Sequence, residues 1–177
     1  PQGWTGELKL NAVVPAQLHT LWPHTPVQGQ MLAQATDAEH TSWRAELKTQ
    51  SPFPASQAAA KPAHRPAPSP FDSLQWQSLL MNGQYRGHTW DIAQLQIDAA
   101  QAQLDAQFQW DTQSKAAKGR WALKLPGLQA QSQGALAPQS GQGQLNITLS
   151  DAALALTWLN KLPWGAEVFQ GMQATGT

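Results

Sequence analysis

A strict two-residue alternation of apolar and polar side chains constrains this chain more than any other feature. From Ala100 to Asp111, the residues Ala100, Ala102, Leu104, Ala106, Phe108 and Trp110 fall on one side. Gln101, Gln103, Asp105, Gln107, Gln109 and Asp111 fall on the other. Period two is the mark of a strand with one apolar face. Twelve such residues would span roughly 40 Å at the strand rise, about twice an ordinary strand. Just before them, Ala93, Leu95, Ile97 and Ala99 alternate with Gln94, Gln96 and Asp98, and the parity flips at Ala99–Ala100. A one-residue slip would turn every later side chain to the opposite face, so a bulge or a turn belongs there.

The same rule recurs along the chain. Leu8, Leu10 and Ala12 alternate with Glu7, Lys9 and Asn11, and Trp43, Ala45 and Leu47 with Arg44, Glu46 and Lys48. Trp121, Leu123 and Leu125 alternate with Arg120, Ala122 and Lys124, and Leu145, Ile147 and Leu149 with Gln144, Asn146 and Thr148. Gly6, Gly29, Gly83, Gly119 and Gly143 each stand two residues before a large apolar residue, a place that suits a strand start, tight turn or bulge. Two short helices are expected: Ala16 to Trp22, stopped by Pro23, and Ala152 to Leu162, capped by Ser150-Asp151 and stopped by Pro163. Strand, short helix and Gly-containing strand occur in this order twice, from Gly6 and again from Gly143, an offset of roughly 137 residues. Residues 1–50 and 71–177 therefore read as β-repeat segments of one continuous sheet. Ser51 to Pro70, rich in Pro and Ala, reads as a flexible loop between them. Pro1, and the unfinished pattern from Gly171 to Gly176, lead us to expect an internal segment of a longer repetitive polypeptide. The expected fold class is all-β: a long, curved, antiparallel-type sheet, taco-like or an open tube with an apolar concave groove, plus one or two short helices.

Composition narrows the function. Charged residues are 12%, about half the usual share, and formal net charge is zero. Nucleic-acid binding draws on positive charge, so DNA and RNA are excluded as expected partners. Cysteine is absent and no apolar run approaches the ~18 residues needed to span a bilayer. Gly141-Gln142-Gly143 is followed by Asn146 where a dinucleotide loop needs a third glycine, and by a strand where it needs a helix. No Gly-x-Ser-x-Gly elbow occurs. His19 and His24 straddle Pro23, and the Asp37-Ala38-Glu39-His40 cluster sits in an expected hairpin turn without a known metal spacing. No catalytic residue, metal or cofactor is expected. The remaining resource is nine tryptophans. Trp22, Trp158 and Trp164 accompany the short helices, and Trp4, Trp43, Trp76, Trp110 and Trp121 lie on apolar strand faces.

The run Pro15-Ala16-Gln17-Leu18-His19-Thr20-Leu21-Trp22-Pro23, followed by Val27-Gln28-Gly29-Gln30-Met31, resembles the strand–short helix–Gly-strand module of the TamB and AsmA-like repeat family. The stretches Gly83 to Ile97, Leu128 to Ala137, Gly143 to Leu149 and Asp151 to Pro163 are similar to the same module, and only Ser51 to Pro70 departs from it. The resemblance implies a periplasmic protein anchored in the inner membrane, with a long curved sheet and an apolar groove. It implies phospholipid transport between the membranes, outer-membrane biogenesis, an Omp85-type outer-membrane barrel (TamA) as partner, and autotransporters or other outer-membrane proteins as clients. It implies no catalytic residues.

The residues point the same way, since an apolar face repeated through many strands needs a cover, and the expected helix is too little to supply it. The expected lipid-binding lining is Leu8, Leu10, Trp43, Leu47, Leu95, Ile97, Leu104, Phe108, Trp110, Trp121, Leu123, Leu125, Leu145, Ile147 and Leu149. Two other functions compete: a chaperone-like scaffold that takes client strands by β-augmentation, and an extracellular carbohydrate-binding or adhesin domain that uses its tryptophans.

Overall fold

The computed structural model describes residues 3–19, 23–37, 39–50, 74–137 and 140–160. Ser51 to Pro70, Trp22 and Trp164 lie outside them, as do the second half of the repeat beyond Asn160 and the end of the first expected helix. The described chain is one antiparallel sheet of nine strands: β1 (Trp4–Val13), β2 (Val27–Ala35), β3 (His40–Thr49), β4 (Trp76–Arg86), β5 (Thr89–Ala99), β6 (Ala102–Asp111), β7 (Ala116–Leu125), β8 (Leu128–Ala137) and β9 (Ser140–Leu149). The strands lie side by side in chain order, and among the described residues β1 and β9 form the two open edges. One α-helix, α1 (Ala152–Leu159), follows β9.

Turn chemistry explains the connections. The parity flip at Ala99–Ala100 is a turn: Ala99 pairs with Ala102, and Ala100 and Gln101 make the link. Pro126-Gly127 joins β7 to β8, with Gly127 at φ +75, where the pyrrolidine ring fixes one residue and glycine supplies the left-handed one. After β6, the Asp111 carboxylate accepts hydrogen bonds from Ser114 N (2.6 Å) and Oγ (2.8 Å). These two bonds, the backbone one foremost, hold its carboxyl below the usual carboxylate range. The loop closes on Lys115, at φ +56. A left-handed L-residue costs about 1–2 kcal/mol and glycine forfeits about 0.5–1 kcal/mol of backbone entropy. Lys115→Gly should therefore raise stability by about 0.5–1 kcal/mol, read as a higher urea midpoint at unchanged slope.

Three irregularities bend the sheet. Leu10 to Val13 of β1 opposes Gly29 to Val27 of β2, one residue short, and Ala12 takes φ +53. Ala12 thus ends the β1 alternation instead of extending it, a correction to the sequence reading. Ile92 to Leu95 of β5 opposes Phe108 to Ala106 of β6, which leaves Ala93 as the extra residue. Trp76 to Ser78 of β4 opposes Ala99 to Asp98. Each bulge sharpens the local right-handed twist.

The helices are shorter than expected. The first is a single 3-10 turn at Pro15–Gln17 within the described residues. The second, α1, starts at the Asp151 cap, whose carboxylate accepts from Leu154 N at 2.9 Å, and ends at Leu159, three residues before the expected stop. Its Ala155 and Trp158 are buried with Leu125, and Leu123, Leu128, Ala102 and Leu74 pack around them. The helix therefore covers the end of β6–β8 nearest its own start, and among the described residues the rest of the sheet has no second layer.

The uncovered apolar face as candidate functional site

Residues directly opposed in an antiparallel pair project to the same side, so the register sorts every strand residue to a face. All fifteen expected lining residues fall on one side. One row crosses Leu10, Gly29, Leu47, Leu79, Ile97, Leu104, Leu123, Ala130 and Ile147. The row above it crosses Leu8, Met31, Ala45, Met81, Leu95, Ala106, Trp121, Ser132 and Leu145. Trp43 and Phe108, then Trp110, lie beyond it, and Leu125 and Leu149 close the other end. Trp4 and Trp76, opposed to Ala35 and Ala99, share this side. Every charged residue of the nine strands lies on the opposite side.

The face is open. Leu8, Trp110, Leu145 and Ile147 are exposed, Ile147 at 59%. One expected lining residue is buried in this arrangement and a second is partly buried. Leu125 is 7% exposed beneath α1, and Leu123 packs against the same cluster. Helix docking, which the alternation does not encode, covers the first and part of the second.

Sequence reasoning also missed members of the face. Trp90 opposes Trp110, and its ring lies 5.1 Å from that of Tyr85. Ile92, Leu79, Met81, Met31, Leu128 and Leu136 complete the surface. The i, i+2 spacing of Trp90 and Ile92 was a usable signal, but the Ala93 bulge resets the parity and hides its continuity with Leu95.

Gly83 stands at a bulge and Gly29 beside one, as expected, while the other glycines have a different place. Gly6, Gly83, Gly119, Gly134 and Gly143 stand in mid-strand, in one row across the apolar face with Ala33, Trp43, Ile92 and Phe108. A Cβ on Gly83 would come within 2.8 Å of the Trp43 ring, and one on Gly119 within 2.5 Å of Phe108 Cβ. The Trp43 ring lies over the missing side chain of Gly83, and at Gly119 the Phe108 backbone and Cβ take that space. Trp43 Nε1 is buried there without a hydrogen-bond partner among the described residues.

The opposite face is a ladder of amides and charges. Asn82 Nδ2 donates to Gln94 at 3.0 Å, Arg120 Nε to Gln107 at 3.2 Å, and Arg86 pairs with Asp91 at 3.1 Å. Three cavities, of about 830, 790 and 600 Å³, are lined mainly from this polar side; the largest takes in Gln109, Lys118 and Gln142 near the tips of β6–β9. At the β2–β3 turn, Asp37 accepts from His40 Nδ1 at 2.8 Å and from the amides of Glu39 and His40, and the His40 side chain foremost lowers its carboxyl below the usual range. The cluster is an exposed turn closed on itself. Among the described residues no three His, Cys, Asp or Glu side chains group as a metal site, and no helix is long and apolar enough to cross a membrane.

What this arrangement offers chemically is a broad, uncharged surface of leucine, isoleucine and tryptophan beside a soluble polar one. Set against family models, curated proteins and solved structures, the chain matches none of them.

Proposed function

We propose that this chain is a segment of a periplasm-spanning bridge whose apolar sheet face shelters the acyl chains of phospholipid in transit between membranes, in support of outer-membrane biogenesis. One observation carries the reading: the apolar face runs through nine strands without a charge, and α1 covers only one corner of it. Water against such a surface is costly, and each methylene moved onto it gains about 0.8 kcal/mol. A two-chain lipid gains from even partial shelter without a specific contact. The amide-rich opposite side keeps the sheet hydrated while the apolar side is occupied. In this reading an Omp85-type barrel and outer-membrane protein clients meet other parts of the full-length protein, and no catalytic step is involved.

The test is native mass spectrometry with lipid extraction on protein purified without detergent. The unaltered chain should carry phospholipid. Leu8→Arg combined with Trp121→Arg places two charges on the open face away from α1 and should remove at least nine-tenths of it. Gln131→Arg, on the polar side, should keep it. A folded chain free of lipid, or equal loading of all three proteins, would rule the proposal out.

The open edges favour a second reading, a scaffold that takes up client strands. Every residue of β9 is exposed, and an unpaired strand offers its backbone groups to any extended peptide.

A further inference from the structure

We propose that β9 is a self-pairing edge: two copies of this chain join β9 to β9 antiparallel, about a two-fold axis at Leu145, into one eighteen-stranded sheet. The two edges of the sheet are not equivalent. β1 is guarded: Glu7 and Lys9 pair at 3.0 Å on its polar side, and a bulge with Ala12 at a left-handed φ interrupts its ladder between Leu10 and Val13. Charges and bulges are the devices by which edge strands refuse partners. β9 has neither. Its sequence Ser-Gly-Gln-Gly-Gln-Leu-Asn-Ile-Thr-Leu holds no charge and no proline, all ten residues are exposed, and its pairing with β8 is regular throughout. The helix that follows turns back over β6–β8, and among the described residues no strand pairs with the outer side of β9.

The occupant follows from the sequence of the strand itself. With Leu145 on the axis, Gly143 of one copy faces Ile147 of the other, and Gly141 faces Leu149. Each large side chain then has a vacant position opposite it, and no two branched residues collide except the central leucines. On the polar side Gln144 faces Asn146 and Gln142 faces Thr148, neutral pairs able to exchange hydrogen bonds. A partner strand rich in charge would gain nothing from this edge; a copy of the same neutral strand meets it along its whole length. Opposed residues share a side, so both apolar faces lie on the same side of the joined sheet. This inference does not require the lipid reading, since it rests on the edge and not on the face.

Light scattering should give a mass near twice the 19.2 kDa of one chain. The chain has no cysteine, so Leu145→Cys is a clean probe. Its two copies would stand about 4.5–5.5 Å apart between Cα atoms, within disulfide range, and mild oxidation should cross-link most of the protein. Leu8→Cys on β1 should not cross-link. Gln144→Glu combined with Asn146→Glu sets like charges opposite each other on both sides of the axis while leaving the exposed polar side of the monomer intact. It should weaken dimerisation at least tenfold with an unchanged circular dichroism spectrum. Three results overturn the proposal: a monomer at all concentrations, including one whose β9 amides are protected from exchange by a strand of its own chain; a dimer indifferent to the two glutamates; or cross-linking through β1 instead.

Discussion

Trp158→Ala should lower the unfolding free energy by about 3–5 kcal/mol, the range for emptying a buried tryptophan site. Trp158 is 8% exposed, and it is the largest side chain in the one buried cluster that α1 shares with the sheet. Among the described residues most of the sheet has a single layer and little buried volume, so the corner under α1 supplies an unusual share of the tertiary contact there. Truncation would empty the space between α1 and Leu125, and the short helix has little reason to persist alone, since isolated helices below about 12 residues are marginal in water. The expected record is a lower urea midpoint together with a shallower slope, because the helix releases before the sheet and less surface is left to expose. A dye that binds apolar surfaces should report Leu123, Leu125 and Leu128 newly uncovered under native conditions. An unchanged midpoint would mean that the sheet carries its stability without α1.

Gly119→Val should cost about 3 kcal/mol, the upper part of the range for overpacking. A Cβ at this position meets Gln107 O and the Phe108 Cβ across the β6–β7 pair, within 2.6 Å of Phe108 Cα as well. Two of these three atoms are backbone, so no rotamer change relieves the contact. Valine has high strand propensity, and a view based on propensity alone predicts a gain. The two views differ in sign, and chemical denaturation decides between them. Adding Phe108→Ala to the valine variant should not recover the loss, because alanine keeps the Cα and Cβ that the new side chain meets and the Gln107 carbonyl stays in place. Recovery would place the cost in the Phe108 ring instead.

How much of this was legible in advance depends on the residue. Leu104, Phe108 and Trp110 could be assigned to a face from alternation alone, because a strand has one degree of freedom in that respect and the pattern fixes it. Trp90 and Ile92 could not be joined to Leu95, because a bulge is a local backbone event with weak sequence cost at Ala93. Ala12 looked like the next member of its series, but its left-handed φ ends the pattern, and nothing in alanine announces that. Glycine at 83 and 119 was legible as special but not as what it is, a place of close approach to the preceding strand, to the Trp43 ring at Gly83 and to the Phe108 Cα and Cβ at Gly119; that role exists only once register is set. Leu123 and Leu125 belonged to the right face, yet α1 lies over them, and where a helix docks depends on its tertiary partners. The strand order proved the simplest one available, each strand beside its successor in the chain.

That order has a mechanical meaning. The first and last strands lie at opposite edges, so tension applied between the ends of the sheet acts across the strands and not along them. Hydrogen bonds under such a load open one after another, as a zipper does, instead of sharing the force in parallel. Each ten-residue strand that peels away frees at most about 33–36 Å of chain while the strands behind it stay paired. A sheet of this kind yields early and gradually under tension, and it re-forms from the remaining edge when the load is removed.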